Sequence, residues 1–249
     1  MATTRTKLHF ARFEFKYILP RELRDDVESE LKFFLEFDPF VVSRPHHQYF
    51  VRSLYYDDPA LTCFYDKHDG LHTRSKFRVR TYTDNPDDNT PYFLEIKGRH
   101  NNLVFKHRAK VEVGPGEMHA RGRDLAHHLL RHIPDCSVRT QFEYELYRKR
   151  LRPVALVDYF RRPYISKYDP QFRLTFDDHL RGTTTDGLFP VNGERQRCLL
   201  LGFTVVEVKF RRVIPSWFHR IIQCYDLRRI ACSKICRAME GLEIAGDPS

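Results

Sequence analysis

Charged side chains recur at every second position in six separate stretches of this chain. Lys76, Arg78 and Arg80 alternate with Phe77, Val79 and Thr81, and Arg12, Glu14 and Lys16 alternate with Phe13, Phe15 and Tyr17. Glu95, Lys97 and Arg99 follow the same rule around Ile96, and Lys106, Arg108 and Lys110 alternate with Phe105, His107 and Ala109. Later come Arg173, Thr175 and Asp177, then Glu207, Lys209 and Arg211 around Val206, Val208 and Phe210. Successive side chains of a β-strand point to opposite faces, so each stretch reads as a strand with one charged and one apolar face. Guanidinium groups present planar paired donors to anionic oxygens, and ammonium groups act as mobile point charges. The few carboxylates among them either pair with the bases or hold a divalent metal. A face of this kind must meet water or wrap around a polyanion.

The elements that carry these residues are set apart by turn and helix signals. A strand over 8–18 ends at Pro20, and 21–35 reads as an amphipathic helix with Leu23, Val27, Leu31, Phe34 and Leu35 on one side. A strand over 48–56 stops at Asp57-Asp58-Pro59, a short helix covers 59–67, and the next strand covers 74–83. Residues 83–91 form a loop, followed by a hairpin of strands 92–99 and 103–113. After Gly114-Pro115-Gly116 a helix spans 123–132, while 139–150 fits helix or strand equally well. Strands over 154–159 and 172–176, a polar loop over 181–196, a strand over 199–210 and helical segments over 215–225 and 234–239 complete the chain. No repeat or linker divides it. The expectation is a single α+β domain over 1–249, with a core from about 8 to 240, dominated by antiparallel strands.

A formal charge of +9 and a pI near 9.3 call for an anionic partner: nucleic acid, a phosphate-rich molecule or polymer, or an acidic membrane surface. Single-strand nucleic-acid binding needs aromatic stacking platforms among the basic residues. Here the aromatic residues are expected on the apolar face of the strands, which disfavours that partner. The six cysteines lack zinc-ligand spacing and read as free thiols. No run approaches the roughly 20 apolar residues of a membrane span, and the N-terminus lacks a signal-peptide core. A soluble cytoplasmic protein is expected. From pattern alone, an open sheet with a solvated charged face and a closed barrel with a charged lumen remain equal alternatives. The lumen would need an anion inside, because each unpaired buried ion costs several kcal/mol.

The opening motif Phe13-Glu-Phe-Lys-Tyr17 resembles that of the triphosphate tunnel metalloenzymes. The order of later motifs is similar, more narrowly, to the catalytic domain of vacuolar transporter chaperone-type polyphosphate polymerases and their bacterial relatives. The similarity runs through Ser53-Leu-Tyr-Tyr-Asp57, Phe77-Arg-Val-Arg80, Leu94-Glu-Ile-Lys97 and Val104-Phe-Lys-His-Arg108. It continues through Tyr159-Phe-Arg-Arg-Pro-Tyr164, Phe172-Arg-Leu-Thr-Phe-Asp177, Val206-Glu-Val-Lys209 and Ser233-Lys-Ile-Cys236. Each motif is weak alone, and the ordered set over 10–236 is specific.

The resemblance implies a closed eight-stranded antiparallel β-barrel, a tunnel with helices packed around its outside. It implies catalytic roles for Lys16, Arg78, Arg80, Lys97, Arg161 and Arg173, and phosphate binding by Lys106, Arg108, Lys209, Ser233 and Lys234. It implies Mn²⁺ or Mg²⁺ on Glu207, with Glu14 and Glu95 as further carboxylates. The implied reaction moves the γ-phosphoryl of a nucleoside triphosphate onto inorganic polyphosphate. A tripolyphosphatase or nucleoside triphosphatase, and a non-catalytic polyphosphate-binding module, are the alternatives. Plain readings stand beside these roles: Glu14 with Lys16 and Glu207 with Lys209 as ion pairs, and Ser233 as a helix N-cap. Arg12 stands where tunnel triphosphatases of Glu-x-Glu-x-Lys type carry a glutamate, which favours the polymerase branch. Near Ser233, Arg229-Ile-Ala-Cys232 lacks a second lysine expected of the eukaryotic polymerases. The membrane region of those enzymes is also missing, so translocation would require a separate membrane partner and a place at the membrane's inner face.

Overall fold

The computed structural model describes residues 13–100 and 103–246, with Arg12 outside them. The period-two stretches become strands of one sheet. The first five are β1 (Phe13–Pro20), β2 (Leu35–Phe37), β3 (Tyr49–Asp57), β4 (Thr73–Thr81) and β5 (Tyr92–His100). The others are β6 (Leu103–Val111), β7 (Arg152–Ser166), β8 (Arg173–Thr183), β9 (Gln196–Cys198) and β10 (Phe203–Phe210). Eight of them run side by side in the order β1-β10-β8-β7-β3-β4-β5-β6, while β2 pairs with β7 and β9 with β8. Every ladder is antiparallel.

The helices are α1 (Arg24–Leu31), α2 (Thr62–His68), α3 (Gly122–His132), α4 (Ser137–Lys149), α5 (Ser216–Cys224) and α6 (Lys234–Gly241). The helix expected over 21–35 is shorter, because α1 ends at Leu31 and Leu35 begins β2. The ambiguous 139–150 segment is helical: Val138, Phe142 and Leu146 recur at four-residue spacing and are buried, whereas Tyr144 and Tyr147 face solvent. The loop expected over 181–196 is trimmed at both ends, since β8 reaches Thr183 and β9 pairs with it. No helix among the described residues is long and apolar enough to cross a membrane.

The apolar face of the strands is convex and buried in two patches. Leu54, Phe77, Val79, Leu94 and Ile96 pack with Leu125 and Leu129 of α3 and Phe142 of α4. Tyr17, Leu174, Phe176, Val206 and Val208 pack with Val27 and Leu31 of α1 and with Phe218 and Ile221 of α5. One helix departs from the expected outside position. Ile235, Ala238 and Met239 of α6 pack against Val51, Tyr55, Ala155, Val157 and Tyr159, which share the charged face. Those strand positions are apolar or aromatic where α6 covers them, so the helix closes part of the concavity with a local core of its own.

Closure also differs from the barrel expected. Among the described residues no backbone ladder joins β1 to β6, and the sheet is therefore not closed by hydrogen bonds. The edge strand β6 carries Lys106, Arg108 and Lys110, and charged edges discourage strand pairing. The accumulated twist of the strands nevertheless curls the sheet. Lys97 Nζ of β5 lies 3.2 Å from both carboxylate oxygens of Glu14 on β1. Side chains bring together the two flanks of a deeply curled sheet.

Candidate phosphate-binding face

Register converts the alternating sequence into rows of like charge across the concave face. Arg74 stands opposite Arg99, Lys76 opposite Lys97, and Lys97 opposite Lys106. On the other flank Lys209 stands opposite Arg173. Like charges directly across an antiparallel pair are destabilising. Four carboxylates set among the rows offset part of that repulsion.

Glu207 on β10 is 6 % exposed and lies 2.6 Å from Lys209, 3.7 Å from Lys16, 3.8 Å from Arg161 and 3.9 Å from Lys234. Glu14 pairs with Lys16 and Lys97. Asp177 on β8 is 1 % exposed and accepts a two-pronged contact from Arg161, at 2.6 and 2.7 Å. Lys234, at the start of α6, lies 2.5 Å from the same carboxylate. Farther along the face Glu95 is completely buried, with Arg78 at 2.6 Å, Lys106 at 2.5 Å and Arg80 at 3.8 Å.

Neutral groups hold the arginines from the side. Arg78 donates to the Tyr55 hydroxyl at 2.8 Å, and Arg80 donates to Ser53 Oγ at 3.0 Å and to the Tyr159 hydroxyl at 3.3 Å. Lys234 Nζ and the Arg161 guanidinium lie 4.9 and 5.4 Å from the Tyr159 ring centroid, within cation–π range. Ser233 occupies the N-cap position of α6 without a capping bond from its side chain, which instead accepts from Lys76 Nζ at 2.6 Å.

The expected residues are thus gathered unevenly. Lys16, Arg78, Arg80, Lys97, Lys106, Arg161, Lys209 and Lys234 join Glu14, Glu95 and Glu207 in two linked charge clusters, and Ser233 sits beside them. Arg173 is exposed and makes no ion pair among the described residues, and Arg108 is exposed over the Phe93 ring. Asp177 is the site carboxylate that sequence reasoning left out. Its signal was present: it continues the Arg173-Thr175 alternation on β8. The aromatic residues also differ from expectation, because Tyr49, Tyr55, Tyr82 and Tyr159 belong to the cluster on the charged face.

The charges act strongly on one another. Burial and the nearby Glu207 raise the Glu14 carboxyl, yet Lys97, Lys16 and Lys209 overcome both and bring it down to about 2. Burial opposes ionisation of Glu95, and Arg78, Arg80 and Lys106 bring it down to about 2. Glu207 is held well below its ordinary range against burial, by Lys209, Lys16, Arg161 and Lys234. Lys106 moves the other way: burial lowers its ammonium to about 8 although Glu95 supports the charge. Nine paired or bonded cations (Lys16, Lys76, Arg78, Arg80, Lys97, Lys106, Arg161, Lys209 and Lys234) therefore surround four ionised carboxylates. The face keeps a large positive excess.

Among the described residues no three His, Cys, Asp or Glu side chains cluster as a ready-made metal site. A hard cation such as Mg²⁺ commonly uses one or two carboxylates and completes its shell with water and substrate oxygens. Glu14 and Glu207 fit that requirement: the Glu207 charge is close enough to raise the Glu14 carboxyl, and the two share Lys16. Glu95 fits it poorly, because its side chain is wholly buried, whereas Glu14 and Glu207 keep some exposed surface.

A family model described as the VTC domain matches residues 11–243. No curated protein matches the chain. Among solved structures, a putative adenylate cyclase from Bacillus halodurans is similar at 13 % identity and a TM-score of 0.51, covering 90 % of this chain and 94 % of that one. A putative adenylyl cyclase from Hippeastrum, described as having a dominant triphosphatase activity, is similar at 14 % identity and a TM-score of 0.50, covering 92 % and 95 %. At these identities the likeness concerns the fold.

Proposed function

The chain belongs to the VTC domain family, and on that premise we propose that its concave face is the active site of a polyphosphate polymerase that uses a nucleoside triphosphate. The observation that carries this reading is the set of like-charged rows, above all Lys76-Lys97-Lys106 across β4, β5 and β6. Such a row costs stability unless a chain of anions lies along it. The proposed state in use is a tunnel, closed by side chains and by the bound phosphate chain.

In this reading Arg78, Arg80 and Arg161 grip the non-bridging oxygens of the triphosphate, and the lysines follow the chain. The arginines are fixed in advance by Glu95, Ser53, Tyr55, Tyr159 and Asp177, so little reorganisation accompanies charge development in the transition state. A terminal oxygen of the phosphate chain attacks the γ-phosphorus. The bond from that phosphorus to the β–γ bridging oxygen breaks, nucleoside diphosphate leaves, and the chain is one phosphate longer. Phosphoryl transfer asks the protein mainly for positioning and charge neutralisation, so no protein nucleophile is required. Glu207 and Glu14 would hold a divalent cation, Mn²⁺ or Mg²⁺, which would neutralise charge on the phosphate oxygens.

Hydrolysis is the second reading. Glu14, with 17 % of its side chain exposed, is open enough to orient a water molecule, and the Hippeastrum protein of similar fold is described as a triphosphatase. Incubation with ATP and Mn²⁺, assayed for both long-chain polyphosphate and orthophosphate beside Glu207→Gln, separates the readings. Chains made only by the unaltered protein support the polymerase. Orthophosphate without chains supports the hydrolase, and binding without either product reduces the site to a polyphosphate-binding module.

A further inference from the structure

The concave face changes character along its length. The end formed by the start of β4 and the finish of β5 carries the Arg74/Arg99 and Lys76/Lys97 pairs. The opposite end carries aromatic rings on the same face. Phe93 stands directly opposite Arg80 on one side and Lys110 on the other, and Tyr49 stands opposite Arg161. Tyr82, just beyond β4, packs with Tyr49 in the concave-face cluster. The rings form a chain of near-perpendicular contacts, with centroids 5.3 Å apart for Phe40–Tyr49, 5.8 Å for Tyr49–Tyr82 and 6.3 Å for Tyr82–Phe93. Tyr49, Tyr82 and Phe93 are each partly exposed, and Phe40 is 53 % exposed. The Arg108 guanidinium lies 4.4 Å from the Phe93 centroid.

Partly exposed rings next to Arg80 and Arg161 add nothing to the binding of an inorganic phosphate chain, which offers them no apolar or planar surface. They suit a flat heterocycle, since aromatic faces and guanidinium planes both stack on nucleobases. We propose that Tyr49, Tyr82 and Phe93, with Arg108, form a shelf for the base of the nucleoside triphosphate. The substrate then has one orientation: base on the aromatic shelf, triphosphate past Arg80 and Arg161, and the inorganic chain along the lysine rows. The shelf rests on the reading of the concave face as a triphosphate site, and it assigns the two ends different cargo.

The test compares ATP, ribose 5-triphosphate and inorganic tripolyphosphate by calorimetric titration at fixed salt and Mg²⁺. Base stacking contributes about 1–3 kcal/mol per base. The unaltered protein is therefore expected to bind ATP about tenfold more tightly than ribose 5-triphosphate. Phe93→Leu and Tyr82→Leu are expected to erase that difference while leaving the tripolyphosphate affinity unchanged. Equal affinity of the unaltered protein for ATP and ribose 5-triphosphate overturns the shelf and needs no variant to fold. A uniform loss for all three ligands in both variants also overturns it, because it marks the rings as structural support. If tripolyphosphate itself fails to bind the unaltered protein, the triphosphate site is wrong and the shelf falls with it.

Discussion

The two ends of the concave face are built on the same strands yet solve different problems. At one end β4 and β5 align arginine with arginine and lysine with lysine, and Glu14 and Glu95 neutralise only part of the row. At the other end the register sets Phe93 against Arg80 and Tyr49 against Arg161, so each ring lies beside a cation and no like charges face each other in these pairs. Between them Asp177 and Glu207 tie Arg161, Lys16 and Lys234 into one buried network. The repulsive end keeps like charges in register that its carboxylates offset only in part, which is the feature the proposed phosphate track rests on, whereas the aromatic end sets rings beside its cations.

The largest effect is expected between the two ends. Arg161→Ala strips Asp177 of its two-pronged partner and leaves a buried carboxylate with Lys234 alone. Breaking a buried pair in this way costs about 3–5 kcal/mol. Loss of a fixed donor to the reacting phosphate should slow turnover about a hundredfold or more. Denaturant unfolding and steady-state kinetics read the two effects separately.

Ligand binding should relieve the repulsive end. Tripolyphosphate at a hundredfold excess over its Kd is expected to stabilise the fold by about 2.7 kcal/mol, visible as a rise in Tm. A Tm indifferent to tripolyphosphate would remove the functional contrast between the ends.

Smaller changes sharpen the comparison. Lys97→Gln, on the lysine row, should weaken ATP and tripolyphosphate alike, by about tenfold for one lost charge-assisted contact. Phe93→Leu should weaken ATP alone. A lysine variant that discriminates between the two ligands would reverse the assignment of the ends.

The smallest effect is a pH dependence at Lys106. Its ammonium titrates at about 8 in the free protein, and a bound phosphate raises that value because it favours the charged form. Affinity for tripolyphosphate is therefore full below about 8 and falls as pH rises through it, toward the higher value of the complex. Lys106→Arg, which keeps its charge, should flatten the profile.

Much of the charged face was legible in sequence because strand alternation is strict: once β4, β5 and β10 form, Lys76, Arg78, Arg80, Glu95, Lys97, Glu207 and Lys209 must share one side. Asp177 was harder to single out, since its importance comes from Arg161 across a ladder and Lys234 across the concavity. The position of α6 was not legible at all. Ile235, Ala238 and Met239 mark one apolar side of a helix, but nothing local says which face of the sheet that side meets. The rings at the aromatic end were obscured for a related reason: Tyr49 and Phe93 lie at or near strand starts and Tyr82 lies just past a strand end, where alternation has too few neighbours to reveal a face. Closure by a hydrogen-bonded ladder was expected from a resemblance, and a charged edge at β6 is what the chain places there instead.

Lys76→Gln shows whether the lysine row is held for a phosphate chain. Glutamine keeps a donor for Ser233 but removes one of the like charges facing Lys97. Unfolding and tripolyphosphate titration are measured on the same preparation. A phosphate track at this row means a ligand-free fold as stable as the original or more so, together with weaker tripolyphosphate binding. A less stable fold with unchanged affinity would show that Lys76 serves structure and that the row is no phosphate track.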